Sequence, residues 1–359
     1  MNSDDHYMSL AAFNIGRYSF FNELNYGLIA SIHQNEARIQ KSVDRINRQF
    51  GLHMKEPKLA IGIEFEIQST QSLDDLLAME VRRDGVFHYA RKSFAELLHE
   101  LNLDLTQENT FRVINGEKYF KYELRATRPV STAEQLYSYS RLLTSVHVDP
   151  VHIRRFSHHV NFSVIDAANP HSYPYYNQQF RDLIGHNVLK FVDEALVLLD
   201  TKSSIRGTKD KGDRDATDLM AYLPTSSEHK RCFYQLAYRN NDKVVDDYSD
   251  EVIASTARHE LRRTFPGSSL HQVNVCDPIV AACAIITAGV AHSFEKGEAA
   301  KLEPYHYRGT DYDKHMEKFK NSSLLREYLG EGLVASLGKR IDDYHIDAVF
   351  NGLLGEREL

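Results

Sequence analysis

Hydrophobic positions along the chain recur at two spacings, and the switches between them mark the elements. From residue 8 to 50 the pattern is helical: Leu24, Leu28 and Ile32, then Ile39, Val43 and Ile46, fall on one stripe. Gly51 follows as a stop signal. After "KEP" at 55–57 the period drops to two, and residues 59–68 read as a strand. Short strands are expected at 81–83 and 86–88, and a helix at 92–101. "TFRVI-NG-EKYFKYELRAT" predicts a hairpin turning at Asn115-Gly116. "STAEQLYSYSRLLTSV" predicts a helix capped by Ser131 or Thr132. A strand at 154–166 and a long helix over "FRDLIGHNVLKFVDEALVLLD" follow. "STARHELRRTFPGSS" predicts a strand ending at Pro266-Gly267, then come a helix over 278–296 and helical turns over 311–355.

The segment 201–218, "TKSSIRGTKDKGDRDATD", is charged and nearly devoid of apolar residues, so it reads as a loop or lid. These patterns divide the chain into an N-terminal helical segment, 1–57, and a main domain, 58–359. The helical segment is expected to pack onto that domain.

Composition narrows the class. Of 359 residues, 42% are hydrophobic and 26% charged, enough to bury a core. The net charge of −7 comes without a basic block, which argues against a nucleic-acid binder. Cys232, Cys276 and Cys283 form no close pair, so neither a disulfide framework nor a cysteine zinc site is expected. The start, "MNSDDHYMSL", lacks the basic-then-apolar order of a signal peptide. The most apolar run, 278–292, is short for a membrane span. A soluble cytoplasmic protein is expected.

One detail disturbs the strand pattern. "AIGIEFEIQS" places Glu64 and Glu66 on one face of an otherwise apolar strand. Like charges there repel and are costly to desolvate. Three later strands do the same: Glu123 and Arg125 share a face, as do His159, Asn161 and Ser163, and Arg258, Glu260 and Arg262. If these strands are neighbours, their carboxylates and imidazole suit an oxygen-preferring divalent cation, Mg²⁺ or Mn²⁺. The arginines suit an anion such as phosphate or a substrate carboxylate. Metal, arginine and carboxylate together are the equipment of phosphoryl transfer from ATP. Taken singly, each has a plainer reading: a solvated strand face, a hydrogen-bonded histidine, or surface ion pairs.

The order of these patterns resembles the catalytic domain of glutamine synthetase and the related glutamate–cysteine ligases and bacterial amidoligases. E-x-E comes first, then a glutamate in "KYELRATRPVSTAEQL", then "HHVNFSV", then "RHELRR". "CDPIVAACAIITAGVAHSFEKGE" resembles the synthetase helix that opens with Asn-Pro and runs through small apolar residues to Ala-Gly. The resemblance covers patches of residues 58–297.

It implies an α+β fold: a curved, mainly antiparallel sheet lined by the active site, with helices on the other face. It implies an ATP-dependent carboxylate–amine ligase working through an acyl phosphate. Glu66 and Glu123 would hold the metal beside the acyl-accepting centre, and with Arg262, which would bind the carboxylate substrate, form the catalytic group. Glu64, His159 and Glu260 would hold the metal bridging the ATP phosphates. Arg258 would contact phosphate, and Asn161 and Ser163 would line the nucleotide or substrate pocket. Arg206, Lys209, Lys211 and Arg214 are further candidate phosphate contacts.

The chain departs from the synthetase pattern too. "HIRRFS" replaces the glycine-rich approach to the histidine strand, and no synthetase-type N-terminal β-grasp domain is evident. A substrate pair other than glutamate and ammonia is therefore expected: a small-molecule or peptide carboxylate and an amine. A homo-oligomer is compatible with this reading. A phosphotransferase on the same scaffold and a non-catalytic regulatory protein are the alternatives.

Overall fold

The computed structural model describes residues 22–82, 91–114, 116–127, 130–145, 153–169, 172–199, 218–221, 234–238, 257–263, 275–298, 305–306 and 312–350. The chain enters through α1 (Glu23–Lys41) and α2 (Val43–Phe50), then β1 (Pro57–Ser69), α3 (Leu73–Ala78) and β2 (Glu80–Arg82). Next come β3 (Arg91–Ser93), α4 (Phe94–Glu100), β4 (Leu103–Ile114), β5 (Glu117–Ala126), β6 (Val130–Ser131) and α5 (Thr132–Ser145). β7 (Ile153–Asp166), a 3-10 turn (Pro174–Tyr176), α6 (Gln178–Glu194) and α7 (Leu196–Leu199) follow. The rest is β8 (Asp218–Ala221), β9 (Tyr234–Tyr238), β10 (Ala257–Arg263), α8 (Pro278–Lys296), β11 (Tyr305–His306), α9 (Tyr312–Asn321), α10 (Ser323–Leu329) and α11 (Glu331–Phe350).

Among the described residues one open nine-stranded sheet runs in the order β11-β8-β9-β10-β7-β1-β5-β4, with β6 paired to β1. All its pairings are antiparallel except β8 with β9. β1 is central, and its register with β7 stays unbroken from Pro57 to Gln68. Period two then gives the sheet two unlike faces. On one, Leu59, Ile61, Ile63, Val160, Phe162, Val164, Leu124 and Leu261 are buried in the core. On the other stand the charged positions.

On the core side α8 packs between α1 and α6 and touches β7. It is long and apolar enough to cross a membrane, longer than the apolar run at 278–292 indicated, yet 83% of that stretch is buried inside the protein. A helix apolar all round is what a central core position requires. Its start is Asp277, whose side chain accepts from the backbone N–H of Ile279 and Val280, with Pro278 just inside. Asp277 also accepts from the Tyr139 hydroxyl at 2.9 Å, and its own N–H donates to Asn25 at 2.9 Å. The starts of α1 and α8 and the body of α5 are thus tied at one buried residue, Asp277. Burial and Asp277 both hold the Tyr139 phenol well above its ordinary pKa, so it stays a donor.

The N-terminal helices pack onto the rest of the molecule as the sequence suggests. α1 lies along α8, and Arg45 donates to the carbonyls of Ser293, Phe294 and Gly297 at the end of α8. On its other side α8 crosses α6 closely. A Cβ at Gly289 would lie 2.7 Å from the Val188 Cα, so only glycine fits that crossing.

The helix expected over 180–200 is two helices: α6 ends at Glu194, Ala195 caps it, and α7 restarts at Leu196. The apolar periodicity runs through the break, so it carried no signal of it. The hairpin forms at the expected place, with Ile114 paired to Glu117 and Gly116 at φ 83°. Ser131, not Thr132, caps α5, its Oγ accepting from Glu134 N–H at 3.3 Å. The positions 86–88, the segment 201–217 and Pro266-Gly267 lie outside the described residues.

Candidate metal and anion site

The polar face is built by register. Glu64 on β1 pairs with Arg125 on β5 and with His159 on β7. His159 in turn pairs with Arg262 on β10. One step along, Gly62 pairs with Asn161, and Asn161 with Glu260. One step the other way, Glu66 stands between Glu123 and Ser157. The four polar strands foreseen in the sequence are therefore consecutive: β5, β1, β7 and β10.

Side chains converge at the middle of this face. His159 Nδ1 lies 3.2 Å from Glu260 Oε1 and 3.7 Å from Glu64 Oε2. Among the described residues, Glu64, His159 and Glu260 are the one group of His, Cys, Asp and Glu whose ligand atoms all lie within 4.8 Å of one another. Glu260 is 5% exposed and His159 7%. Two carboxylates this close, one of them buried, require a neutralising positive charge. The Arg258 guanidinium beside Glu64 supplies part of it, and a protonated His159 or a divalent cation would supply more. Two carboxylates and one imidazole suit a cation that prefers oxygen but accepts nitrogen, which describes Mn²⁺ well and Mg²⁺ adequately.

Arg258 closes one side. Its Nε donates to Asn161 Oδ1 at 2.8 Å, and its NH2 nitrogen lies 4.0 Å from Glu64 Oε1. Its NH1 nitrogen is buried without a hydrogen-bond partner among the described residues. Glu123 closes the other side. Burial raises its carboxyl pKa, and the Glu64 charge adds to that, while Arg125 and His159 pull the other way. Arg125 reaches Glu123 only at 3.9 Å, too far for a hydrogen bond. A cation near Glu123 would reverse the balance by favouring the ionised carboxylate.

Ser163 stands further along β7, opposite Ala60 and half-buried. Backbone register gives the positions of Glu66 and Arg262, but their side chains lie outside the described residues, as does Arg206 entirely.

Two features of this face were missed in the sequence. Gly62 stands among the polar positions with space above it: a Cβ there would meet only Asn161 Cβ, at 4.0 Å. The signal was present, since glycine weakens a central strand and often marks a close approach. The Asn161–Arg258 hydrogen bond joins residues 97 apart. No local pattern announces such a link.

His259, next to Glu260, faces the other way. It stacks on Phe162 with ring centres 5.3 Å apart, and its Nε2 lies 3.2 Å from the Arg181 carbonyl. That contact needs a proton on Nε2, which both the neutral and the charged ring can supply. Burial depresses its pKa to about 3. The alternation in "RHELRR" thus separates a core histidine from a site glutamate by one residue.

No family model and no curated protein matches the sequence. Solved structures do match. One described as a novel glutamine synthase homolog superposes with a TM-score of 0.50, covering 90% of this chain and 72% of that one at 12% identity. The fold is glutamine synthetase-like. A complex of GmaS with ADP and a glutamine synthetase from Plasmodium falciparum superpose at a TM-score of 0.47 each. They share 9% and 8% identity, cover 90% of this chain in both cases, and are themselves covered over 76% and 78% of their length. In the sheet of this chain β7 lies between β1 and β10, so residues far apart in sequence share one face.

Proposed function

We propose that the protein is an ATP-dependent ligase joining a carboxylic acid to an amine through an acyl phosphate. The observation that carries this reading is the convergence of Glu64, His159 and Glu260 from three adjacent strands beside Arg258. A cation held there would screen the charge of a polyphosphate. Glu64, His159 and Glu260 would hold it, and Arg258, with its unpartnered buried NH1, would bind phosphate oxygen. Glu66, Glu123 and Arg262 would serve the carboxylate end, on the β5 side of the face and at the β7–β10 pairing. Ser163 would line the pocket.

In the reaction the γ-phosphoryl group passes from ATP to a carboxylate oxygen and ADP leaves. The amine nitrogen then forms a bond to the acyl carbon, the acyl carbon–oxygen bond to phosphate breaks, and the amine loses a proton. The protein's part is electrostatic: fixed positive groups face the oxygens on which charge collects. The substrate is a small-molecule or peptide carboxylate.

ADP release, followed with panels of acids and amines and Mg²⁺ or Mn²⁺, tests the proposal. Amide product that disappears in Glu66→Ala supports it. ADP release with a phosphorylated end product would indicate a phosphotransferase instead, and turnover unchanged in Glu66→Ala would refute the site assignment.

A further inference from the structure

We propose that Asn161 is a positioning residue: it sets the Arg258 guanidinium to receive a cation-bound polyphosphate over a floor that Gly62 leaves open. This rests on the ligase reading above and refines it.

Arginine has five N–H donors in a rigid fork and no acceptor, so whichever group holds one edge fixes where the others point. Asn161 Oδ1 holds the Nε edge at 2.8 Å. Asn161 is itself 6% exposed and set in the middle of β7, so it is a rigid anchor. Since Nε can only donate, the oxygen of the Asn161 amide must face it. The held fork presents NH2 towards Glu64 and leaves NH1 buried with no acceptor among the described residues. A buried donor without an acceptor is costly, and an arriving oxyanion relieves that cost.

Gly62 is the independent observation. It lies across from Asn161 in an unbroken part of the β1–β7 register, and it is not among the glycines with positive φ. A Cβ would meet only Asn161 Cβ at 4.0 Å, an ordinary contact. Neither backbone conformation nor crowding therefore demands glycine. Among the described residues nothing occupies that space, and a glycine in a strand interior suits the close approach of a ligand.

The charges choose the ligand class. Glu64 and Glu260 flank the same spot and repel a bare anion. An anion arriving with a divalent cation meets attraction from both sides: the cation from the carboxylates and His159, the oxygens from Arg258. That describes a metal-bound phosphate chain better than a free carboxylate.

The test is a double-mutant cycle on the full chain, read by calorimetric titration with inorganic pyrophosphate in the presence of Mn²⁺. Asn161→Ala and Arg258→Lys should each weaken pyrophosphate by about tenfold, a free-energy change of about 1.4 kcal/mol. Lysine keeps the charge but has no Nε–H edge for Asn161 to hold. If Asn161 acts through Arg258, the double variant binds no more weakly than Arg258→Lys alone. Mn²⁺ alone should bind Asn161→Ala as it binds the wild type, which a general loss of structure would not allow. Gly62→Val should also weaken pyrophosphate while leaving Mn²⁺ affinity unchanged.

Wild-type affinity in Asn161→Ala, or losses that multiply in the double variant, would overturn the positioning role. Should Asn161→Ala lose Mn²⁺ as well, Arg258→Lys decides: pyrophosphate affinity equal to wild type overturns the proposal. A wild type that binds Mn²⁺ and pyrophosphate but shows no effect of these changes sinks this inference alone. One that binds neither sinks the ligase reading with it.

Discussion

Glu260 and His259 are neighbours in sequence with opposite environments, and each makes a separate prediction. Glu260 faces His159 at 3.2 Å on the polar face. Glu260→Gln removes one charge from the proposed cation site and should weaken Mn²⁺ by about tenfold or more, read by calorimetry. His259 is buried and neutral, with its pKa lowered from 6.5 to about 3. In the unfolded chain it takes up a proton below its ordinary value, but in the folded protein it refuses one until about pH 3. The unfolded state therefore binds more protons in that window, and stability is lost as pH falls through it. Between pH 7 and 5 this amounts to at most about 2 kcal/mol. Urea melts at the two pH values should show that loss in the wild type and a smaller one in His259→Phe. Most of the polar face was legible in the sequence, because period two assigns residues to faces whatever the partner strand. Asn161 as the partner of Arg258 was not legible. That link needs the register between β7 and β10, which depends on the whole sheet.

Among the elements, α8 and its two junctions tie the helices together. Gly289→Val would press a branched side chain onto Val188 Cα, which already stands 2.7 Å from a Cβ position. The helices would have to separate, and thermal or denaturant melts should show a loss of about 1–3 kcal/mol. Asp277→Ala would remove the cap of α8 and strand the Tyr139 hydroxyl in the core. It should cost about 2 kcal/mol or more in the same assay. The bounds of α8 were legible because Asp-Pro before an apolar run is a start signal with a physical cause. The close crossing at Gly289 was not, since nothing local says which helix face meets α6. β8 and β9 were also missed. They are four and five residues long and lie in a polar stretch, where tertiary pairing outweighs local pattern.

For the whole molecule, the sheet order β10-β7-β1-β5 turns four polar strand faces into one surface. The faces could be read from the sequence, but their adjacency could not: 97 residues separate Asn161 from Arg258, and only the assembled sheet brings them together. The family resemblance supplied a mainly antiparallel sheet as an expectation, and the glutamine synthetase-like fold bears that out. The proposed chemistry rests on a cation held by Glu64, His159 and Glu260. The most direct measurement is a titration of a non-hydrolysable ATP analogue into the protein with and without Mn²⁺, repeated in Glu260→Gln. The account predicts that the wild type binds the analogue about tenfold or more tightly with Mn²⁺ than without, and that Glu260→Gln loses this gain. Analogue binding indifferent to Mn²⁺, or a gain that survives in Glu260→Gln, would contradict it.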